Sequence, residues 1–284
     1  MILVTGATGT VGSEVIKHLV AAGERPRSFV RDLAKAQRLG SNVEQIVGDL
    51  DRPETIAAAM TDVDRVFLAT MQSARQPDWE RSVIDAATRA GVRRVVKLSV
   101  FNADDRSPLQ IARQHRQAEH VLEESGLDAT ILRPVFFMQN LFGMVRGCKI
   151  ATAAREGRVA MIDARDIAAV ATAALVEDRH VGKTYTLTGP EALTFDDVAW
   201  IISRKTHRLI DHRDVPSEAV RAALQAAGVP AWFAGDMARL HTMLADGYEQ
   251  DTTDDFRSVT GRLPRTLDQF AADFVESFPR QAAS

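Results

Sequence analysis

The sequence predicts an α/β protein: a doubly wound, mostly parallel sheet with a smaller, mainly helical C-terminal lobe. Three observations carry this. Short apolar runs alternate with amphipathic stretches through the first 135 residues, the pattern of strand–helix–strand units whose sheet is covered on both faces. A glycine-rich turn, Gly6-Ala7-Thr8-Gly9-Thr10-Val11-Gly12, joins the first apolar run to the first amphipathic one. Beyond residue 135 helix signals outnumber strand signals.

In order along the chain, strands are expected over 2–5, 27–30, 43–47, 65–70, 95–100 and 130–132. Helices are expected over 12–21, 34–39, 53–60, 77–90 and 108–124. Right-handed crossovers between these strands give a doubly wound order. Asp163-x-x-Asp166 resembles a capping box ahead of the apolar stretch 167–176, and Thr194-x-x-Asp197 does the same ahead of 198–202. Residues 183–188 read as a strand ending in the Gly189-Pro190 turn. Later helices are expected over 217–227, 231–246 and 267–277. The predicted division is a sheet domain over 1–135, with 159–188 adding to its sheet and helix layer. Residues 136–158 and 189–284 form the smaller lobe.

The 284 residues exceed a lone domain of about 100–150. An apolar share of 45% with 26% charged residues is an ordinary globular mix, which excludes disordered and fibrous classes. Thirty-five basic against 38 acidic residues leave a net charge of −3. That balance offers no electrostatic footprint for nucleic acid or an anionic membrane. Cys148 is the only cysteine, so neither an intramolecular disulfide nor a multi-cysteine metal site is available. The longest apolar run, 167–176, falls well short of the roughly 18 residues of a membrane span. The N-terminus carries no basic leader, and a soluble cytoplasmic protein is expected. Tyr185 and Tyr248 are followed four residues on by Gly189 and Thr252, which excludes any mechanism built on a Tyr-x-x-x-Lys pair.

The glycine turn leaves a strand and opens a helix, and that context makes it a dinucleotide site. Gly6 permits the tight turn, Gly9 lets backbone meet a pyrophosphate, and Gly12 allows close packing. The helix N-terminus offers free N–H donors and partial positive charge to the phosphates. Gly6, Thr8, Gly9, Thr10 and Val11 are therefore the expected phosphate-side contacts. A purely structural strand-to-helix turn is the alternative, and three glycines at positions 6, 9 and 12 disfavour it.

The Gly-x-x-Gly-x-x-Gly spacing joins further segments: Val30-Arg31-Asp32, Gly48-Asp49-Leu50, Leu132-Arg133-Pro134, Phe137-Met138-Gln139-Asn140, Ile162-Asp163-Ala164-Arg165-Asp166 and Tyr185-Thr186-Leu187-Thr188-Gly189-Pro190. With these the chain resembles the NmrA-like branch of the atypical short-chain dehydrogenase/reductase superfamily. Within that branch it is nearest the bacterial NADPH:quinone oxidoreductases and triphenylmethane reductase. The resemblance covers nearly the whole chain, most firmly residues 1–190. It implies a Rossmann-type dinucleotide-binding domain over 1–135 and a substrate-side lobe. The branch mixes reductases with regulators that bind the nucleotide without turning it over.

The ribose of the nucleotide is read at the end of the second strand, where this chain has Arg31. A guanidinium fits a 2′-phosphate bidentately, and Lys35 lies one turn further on, so NADP(H) is the expected cofactor. NAD(H) becomes acceptable if Asp32 rather than Arg31 reaches the ribose. The resemblance places Asp49 and Leu50 at the adenine, and Asp49 could equally cap the helix ahead of Pro53. It places Thr70 and Met71 along the path to the nicotinamide and Ser99 at the superfamily's catalytic serine. Pro134, Val135 and Phe136 should border the nicotinamide.

The superfamily's main branch carries tyrosine and lysine on the helix after the fifth strand. Here Ile111 takes the tyrosine position and His115 the lysine position. His115 is the one catalytic candidate, and cofactor contact is expected of it ahead of general acid chemistry. Ile111, His115, Ala118 and Leu122 share one helical stripe, which also suits a core histidine. His115 and Glu119 are two groups and make no metal site. His241, striped with Met237, Leu240 and Leu244, reads as structural. Lacking a strong proton donor, the protein should reduce acceptors that take hydride directly, such as quinones and cationic dyes. Phe137, with Phe136 and Met138, suits a flat apolar wall, although core packing accounts for one or two of these three. Gln139 and Asn140 could hydrogen-bond a carbonyl oxygen. The expected function is NADPH-dependent reduction of a small-molecule electron acceptor by a monomer or homodimer. The competing reading is a non-catalytic NADP(H)-binding redox sensor.

Overall fold

A computed structural model describes residues 1–278. In chain order the strands are β1 (Ile2–Val4), β2 (Arg27–Val30), β3 (Glu44–Val47), β4 (Arg65–Leu68), β5 (Arg94–Leu98), β6 (Asp128–Pro134), β7 (Lys149–Thr152), β8 (Thr184–Leu187) and β9 (Asp211–Asp214). The helices are α1 (Thr10–Ala21), α2 (Leu33–Ala36), α3 (Pro53–Ala59), α4 (Gln76–Arg89), α5 (Gln110–Glu124), α6 (Leu141–Met144), α7 (Ala164–Val176), α8 (Phe195–Thr206), α9 (Ser217–Ala226), α10 (Ala231–Ala245), α11 (Asp255–Thr260) and α12 (Leu267–Asp273). None is long and apolar enough to cross a membrane among the described residues.

The chain divides into two compact units. The first comprises residues 1–107, 112–134 and 164–186; the second comprises 108–111, 135–163 and 187–284. The first unit carries a seven-stranded sheet of order β3-β2-β1-β4-β5-β6-β8. Every pair from β3 to β6 is parallel. The order reverses between β1 and β4, so the crevice of a doubly wound sheet opens at their carboxyl ends. Strands β1 and β4 are almost wholly buried, with Val4, Val66, Phe67 and Leu68 at 0% exposure. Continuous apolar strands of this kind are what a sheet covered on both faces requires. Helix α1 packs on α7. The buried Arg94 closes the C-terminal end of α7 by donating to the carbonyls of Ala174 (3.1 Å) and Glu177 (2.8 Å). These are orphan acceptors of a helix end, and a cation there also suits the helix dipole.

In the second unit β7 and β9 pair in parallel as a two-stranded sheet. Phe142 stacks on Phe270 at 5.3 Å and meets Phe274 and Phe278 edge-on. The capping box expected at Thr194 is present, with the Thr194 hydroxyl accepting from Asp197 N–H and the Asp197 side chain accepting in return.

Several boundaries differ from the expected ones. Helix α1 starts at Thr10 rather than 12, because Gly9 adopts an extended N-cap conformation and ends the turn early. Strand β6 runs over seven residues rather than three, held by β5 on one side and by the β8 segment on the other. The helix expected over 267–277 stops at Asp273 and resumes as a 3-10 turn, with Phe274 as the break and its ring in the aromatic cluster. Strands β7 and β9 were not expected. Asp211-His212-Arg213-Asp214 has no apolar residue, so its strand conformation comes from its partner rather than from local pattern.

Candidate functional site

The glycine turn sits at the switch point. Gly6 adopts φ +59°, and a Cβ there would come within 2.9 Å of the Ala69 carbonyl oxygen on the segment after β4. Thr5 ties the same two segments, its hydroxyl donating to Ala69 O (2.8 Å). A Cβ on Gly12 would lie 2.2 Å from the Gly6 carbonyl oxygen, so the close approach that demands this glycine is to the turn itself. Gly6, Gly9 and Thr10 are exposed, Thr8 is half-buried and Val11 is buried. Helix α1 has no side-chain N-cap bond and no acidic residue in its first turn. Its leading N–H groups are therefore without a side-chain acceptor, in the arrangement that holds a pyrophosphate. The residues present fit a dinucleotide.

At the end of β2, Arg31 and Asp32 are both exposed. The Asp32 carboxylate accepts from Ala34 N–H (2.9 Å) as the N-cap of α2, while an Arg31 guanidinium nitrogen lies 3.5 Å from Met71 Sδ. Arg38, which the sequence reading passed over, reaches back across the glycine turn and donates to Thr8 O (2.6 Å). Asp49 accepts from Asp51 N–H (3.0 Å) in a local turn, and Leu50 packs against the apolar core.

The hydroxyls on this edge are both committed. Thr70 donates to Glu80 Oε1 (2.8 Å). Ser99, at 2% exposure, donates to Glu119 Oε1 (2.6 Å). Glu119 is fully buried and is gripped by Arg133 at both oxygens (3.0 and 2.5 Å) and by Arg116 (3.0 Å). His115 is buried against Lys97 and Gln76. Burial first, and the Lys97 ammonium second, hold its imidazole well below the ordinary histidine range, so the ring is neutral. Pro134 ends β6, where its carbonyl accepts from Phe101 N–H (3.0 Å).

Val135, Phe136, Phe137, Gln139 and Asn140 belong to the second unit. Val135 N–H donates to Leu187 O (3.1 Å). Phe136 meets Phe195 edge-on at 6.4 Å, and its N–H donates to Glu249 Oε2 (2.9 Å). Burial pushes the Glu249 carboxyl up to about 7, against the lowering by that hydrogen bond. Phe137 is half-buried, Asn140 is exposed, and the Gln139 amide donates to Asp163 Oδ1 (2.9 Å). His241 is buried and accepts from Ala153 N–H (3.3 Å), with burial lowering its pKa to about 4.

The sequence reading missed Gln76, Glu80, Lys97 and Glu249, quoted Arg133 only within the Leu132-Arg133-Pro134 segment, and treated Glu119 only as a neighbour of His115. One signal was available: Lys97 interrupts Val95-Val96-Lys97-Leu98, and a charge inside a buried strand demands a partner. No cluster of three metal-ligating side chains occurs among the described residues.

An exposed helix N-terminus behind a glycine turn, at the switch point of a parallel sheet, defines a dinucleotide-binding α/β protein. The chain belongs to the NAD(P)H-binding family, whose model matches residues 6–178. It is 36% identical to an NAD(P)H azoreductase of Xenophilus azovorans over 98% of this chain and 99% of that one. The crystal structure of an NADPH-dependent quinone oxidoreductase from Escherichia coli, complexed with NADPH, superposes with a TM-score of 0.86. It is 27% identical and covers 96% of this chain and 99% of that one. Triphenylmethane reductase of Citrobacter sp., complexed with NADP(H), gives 0.84 at 27% identity over 97% and 100%.

Proposed function

We propose that this chain is an NADPH-dependent oxidoreductase whose acceptor is a small quinone-like or other electron-poor conjugated molecule. One observation carries the reading. Both hydroxyls at the candidate site spend their hydrogens on buried carboxylates, Thr70 on Glu80 and Ser99 on Glu119, and His115 is neutral and enclosed. These groups can bind and orient, and neither hydroxyl nor the imidazole has a proton poised for a developing alkoxide. Acceptors that delocalise the incoming charge need none.

The residues would divide the work as follows. Gly6, Thr8, Gly9, Thr10 and Val11 hold the pyrophosphate on the α1 N-terminus. Arg31, with Arg38 and Lys35 nearby in sequence, reads a 2′-phosphate, which favours NADP(H) over NAD(H). Asp49, Leu50 and Met71 border the adenosine. Thr70 and Ser99 present oxygen lone pairs as acceptors. Bound nicotinamide would supply the hydride. His115 assists cofactor binding. Pro134, Val135 and Phe136 border the nicotinamide, and Phe137, Gln139 and Asn140 contact the acceptor. Such an enzyme works where reduced nucleotide is replenished, in the cytoplasm, as a monomer or homodimer.

A nucleotide-binding redox sensor would share the missing acid. The near full-length likeness to an NAD(P)H azoreductase supports turnover instead. The deciding experiment is NADPH oxidation against small quinones, azo dyes and cationic dyes, with NADP(H) and NAD(H) affinity measured beside it. Turnover is expected with at least one acceptor. Tight nucleotide binding with no oxidation on any of them would establish the sensor.

A further inference from the structure

Behind the candidate site, inside the first unit, lies a buried charged cluster that nucleotide binding alone does not explain. Lys97 on β5 and Glu80 on α4 have fully buried side chains, and His115 on α5 is 5% exposed. Lys97 Nζ has three hydrogens and three acceptors: Glu80 Oε2 (2.6 Å), His115 Nδ1 (3.2 Å) and the Leu98 carbonyl (3.3 Å). Glu80 Oε1 receives the Thr70 hydroxyl (2.8 Å) and the Gln76 amide nitrogen (3.2 Å). The cluster thus runs unbroken from the buried imidazole to a half-buried hydroxyl at the carboxyl end of β4.

Donor and acceptor arithmetic then fixes the imidazole. Gln76 Nε2 lies 3.0 Å from His115 Nε2, so two donors face the two ring nitrogens. A neutral imidazole offers one lone pair. Lys97 has no acceptor atom to present in exchange. Gln76 has one: its Oε1 is buried and has no partner. Turning that amide over sets an acceptor against Nε2–H at the cost of its 3.2 Å donation to Glu80 Oε1, an oxygen that keeps the Thr70 hydroxyl while Oε2 keeps Lys97. The Lys97 contact with Nδ1, which has no such alternative, decides the tautomer. On the same helix as the ring, Arg116 is engaged with Glu123 and Glu119 with Arg133.

We propose that Lys97 and Glu80 are positioning residues for the nucleotide site. The ammonium holds His115 as the neutral Nε2–H tautomer, and its carboxylate partner turns the Thr70 hydrogen inward, so that Thr70 Oγ1 faces the bound nucleotide as an acceptor. Burial of the ring and the adjacent ammonium both oppose a second proton on it. Only the role of Thr70 toward the nucleotide rests on the function proposed above; the state of His115 stands on the cluster itself.

The test uses the full chain with 15N-labelled histidine and reads the ring nitrogens by NMR from pH 5 to 9. His115 is expected neutral, protonated at Nε2 and without an inflection in that range. In Lys97→Met the ring sits near a Glu80 carboxylate that has lost its cation, and an inflection should enter the window. In the double variant Lys97→Met/Glu80→Gln it should leave again. NADPH affinity, titrated on the same samples, is expected to fall roughly three- to tenfold in Lys97→Met, in a pH-dependent way, and to recover in the double variant. A parent ring that titrates near pH 6.5, or carries its hydrogen on Nδ1, overturns the proposal, and this arm decides it even if Lys97→Met does not fold. A pH-independent loss in Lys97→Met that the double variant does not rescue reduces the pair to a packing role and overturns it equally. A parent protein that binds no NADPH refutes the nucleotide site while the ring spectra still decide the tautomer.

Discussion

At the residue scale, two neighbours at the end of β2 have opposite duties. Asp32 caps α2 through Ala34 N–H, and Arg31 stands exposed with its guanidinium near Met71. Arg31→Ala should weaken NADP(H) by about tenfold or more, the loss of a charge-assisted pair of roughly 1.5–3 kcal/mol. NAD(H) affinity should barely change. Titration of both nucleotides checks this, and equal losses would make Asp32 the ribose reader. His115→Ala should raise KM for NADPH and lower kcat by less than the roughly 10²–10⁴-fold that a general acid contributes. Kinetics at saturating quinone across pH 5–9 separate the two: a thousandfold fall in kcat at constant KM would make His115 the acid. Arg31 was legible because its position follows from the strand before it. The commitment of Ser99 to Glu119 was not, because that bond spans the turn from β5 to α5 and no local pattern encodes it.

At the element scale, the glycine turn and α1 separate binding from folding. Gly9 is exposed, and a Cβ there meets its closest neighbour, Gly6 O, at 3.1 Å. Gly9→Asp should therefore leave the fold intact while a carboxylate meets the pyrophosphate, and nucleotide binding should be abolished. Gly12→Ala should do the reverse. Alanine gains about 1 kcal/mol of helix propensity over glycine, but a Cβ 2.2 Å from backbone outweighs that gain. Its melting temperature should fall before any nucleotide is added. Thermal melts with and without NADPH distinguish the variants, and a Gly12→Ala protein as stable as the parent would refute the close-approach account.

At the scale of the whole molecule, two buried groups of the second unit give stability opposing pH dependences. Glu249 is pushed up to about 7. Folded protein then binds more protons than unfolded between about pH 4.5 and 7, and stability falls as pH rises through that window. His241, lowered to about 4, stays neutral in the fold while the unfolded chain takes up a proton, so stability rises between about pH 4 and 6.5. Each contributes on the order of 3 kcal/mol at most, and in the parent the two largely cancel. Glu249→Gln removes the falling arm. Its melting temperature should climb from pH 5 to 7 more steeply than the parent's, and parallel profiles would show that Glu249 is not buried as an acid.

The sequence by itself determined what periodicity and local backbone chemistry encode. Strand β1 and residues 66–68 of β4 read as continuous apolar runs because both faces are covered. The glycine turn read as a dinucleotide loop because its spacing and its place between strand and helix are local properties. The Thr194 capping box is contained in four residues. Tertiary structure decided what depends on partners distant in the chain. Strand β9 has no apolar residue and exists through its pairing with β7. Lys97, Glu80 and His115 come from a strand and two helices, and a buried ion pair is satisfied only where the fold closes around it. For the same reason the hydroxyls of Thr70 and Ser99 could be placed from sequence at the carboxyl ends of their strands. The direction in which each spends its hydrogen was fixed only when Glu80 and Glu119 arrived from other helices.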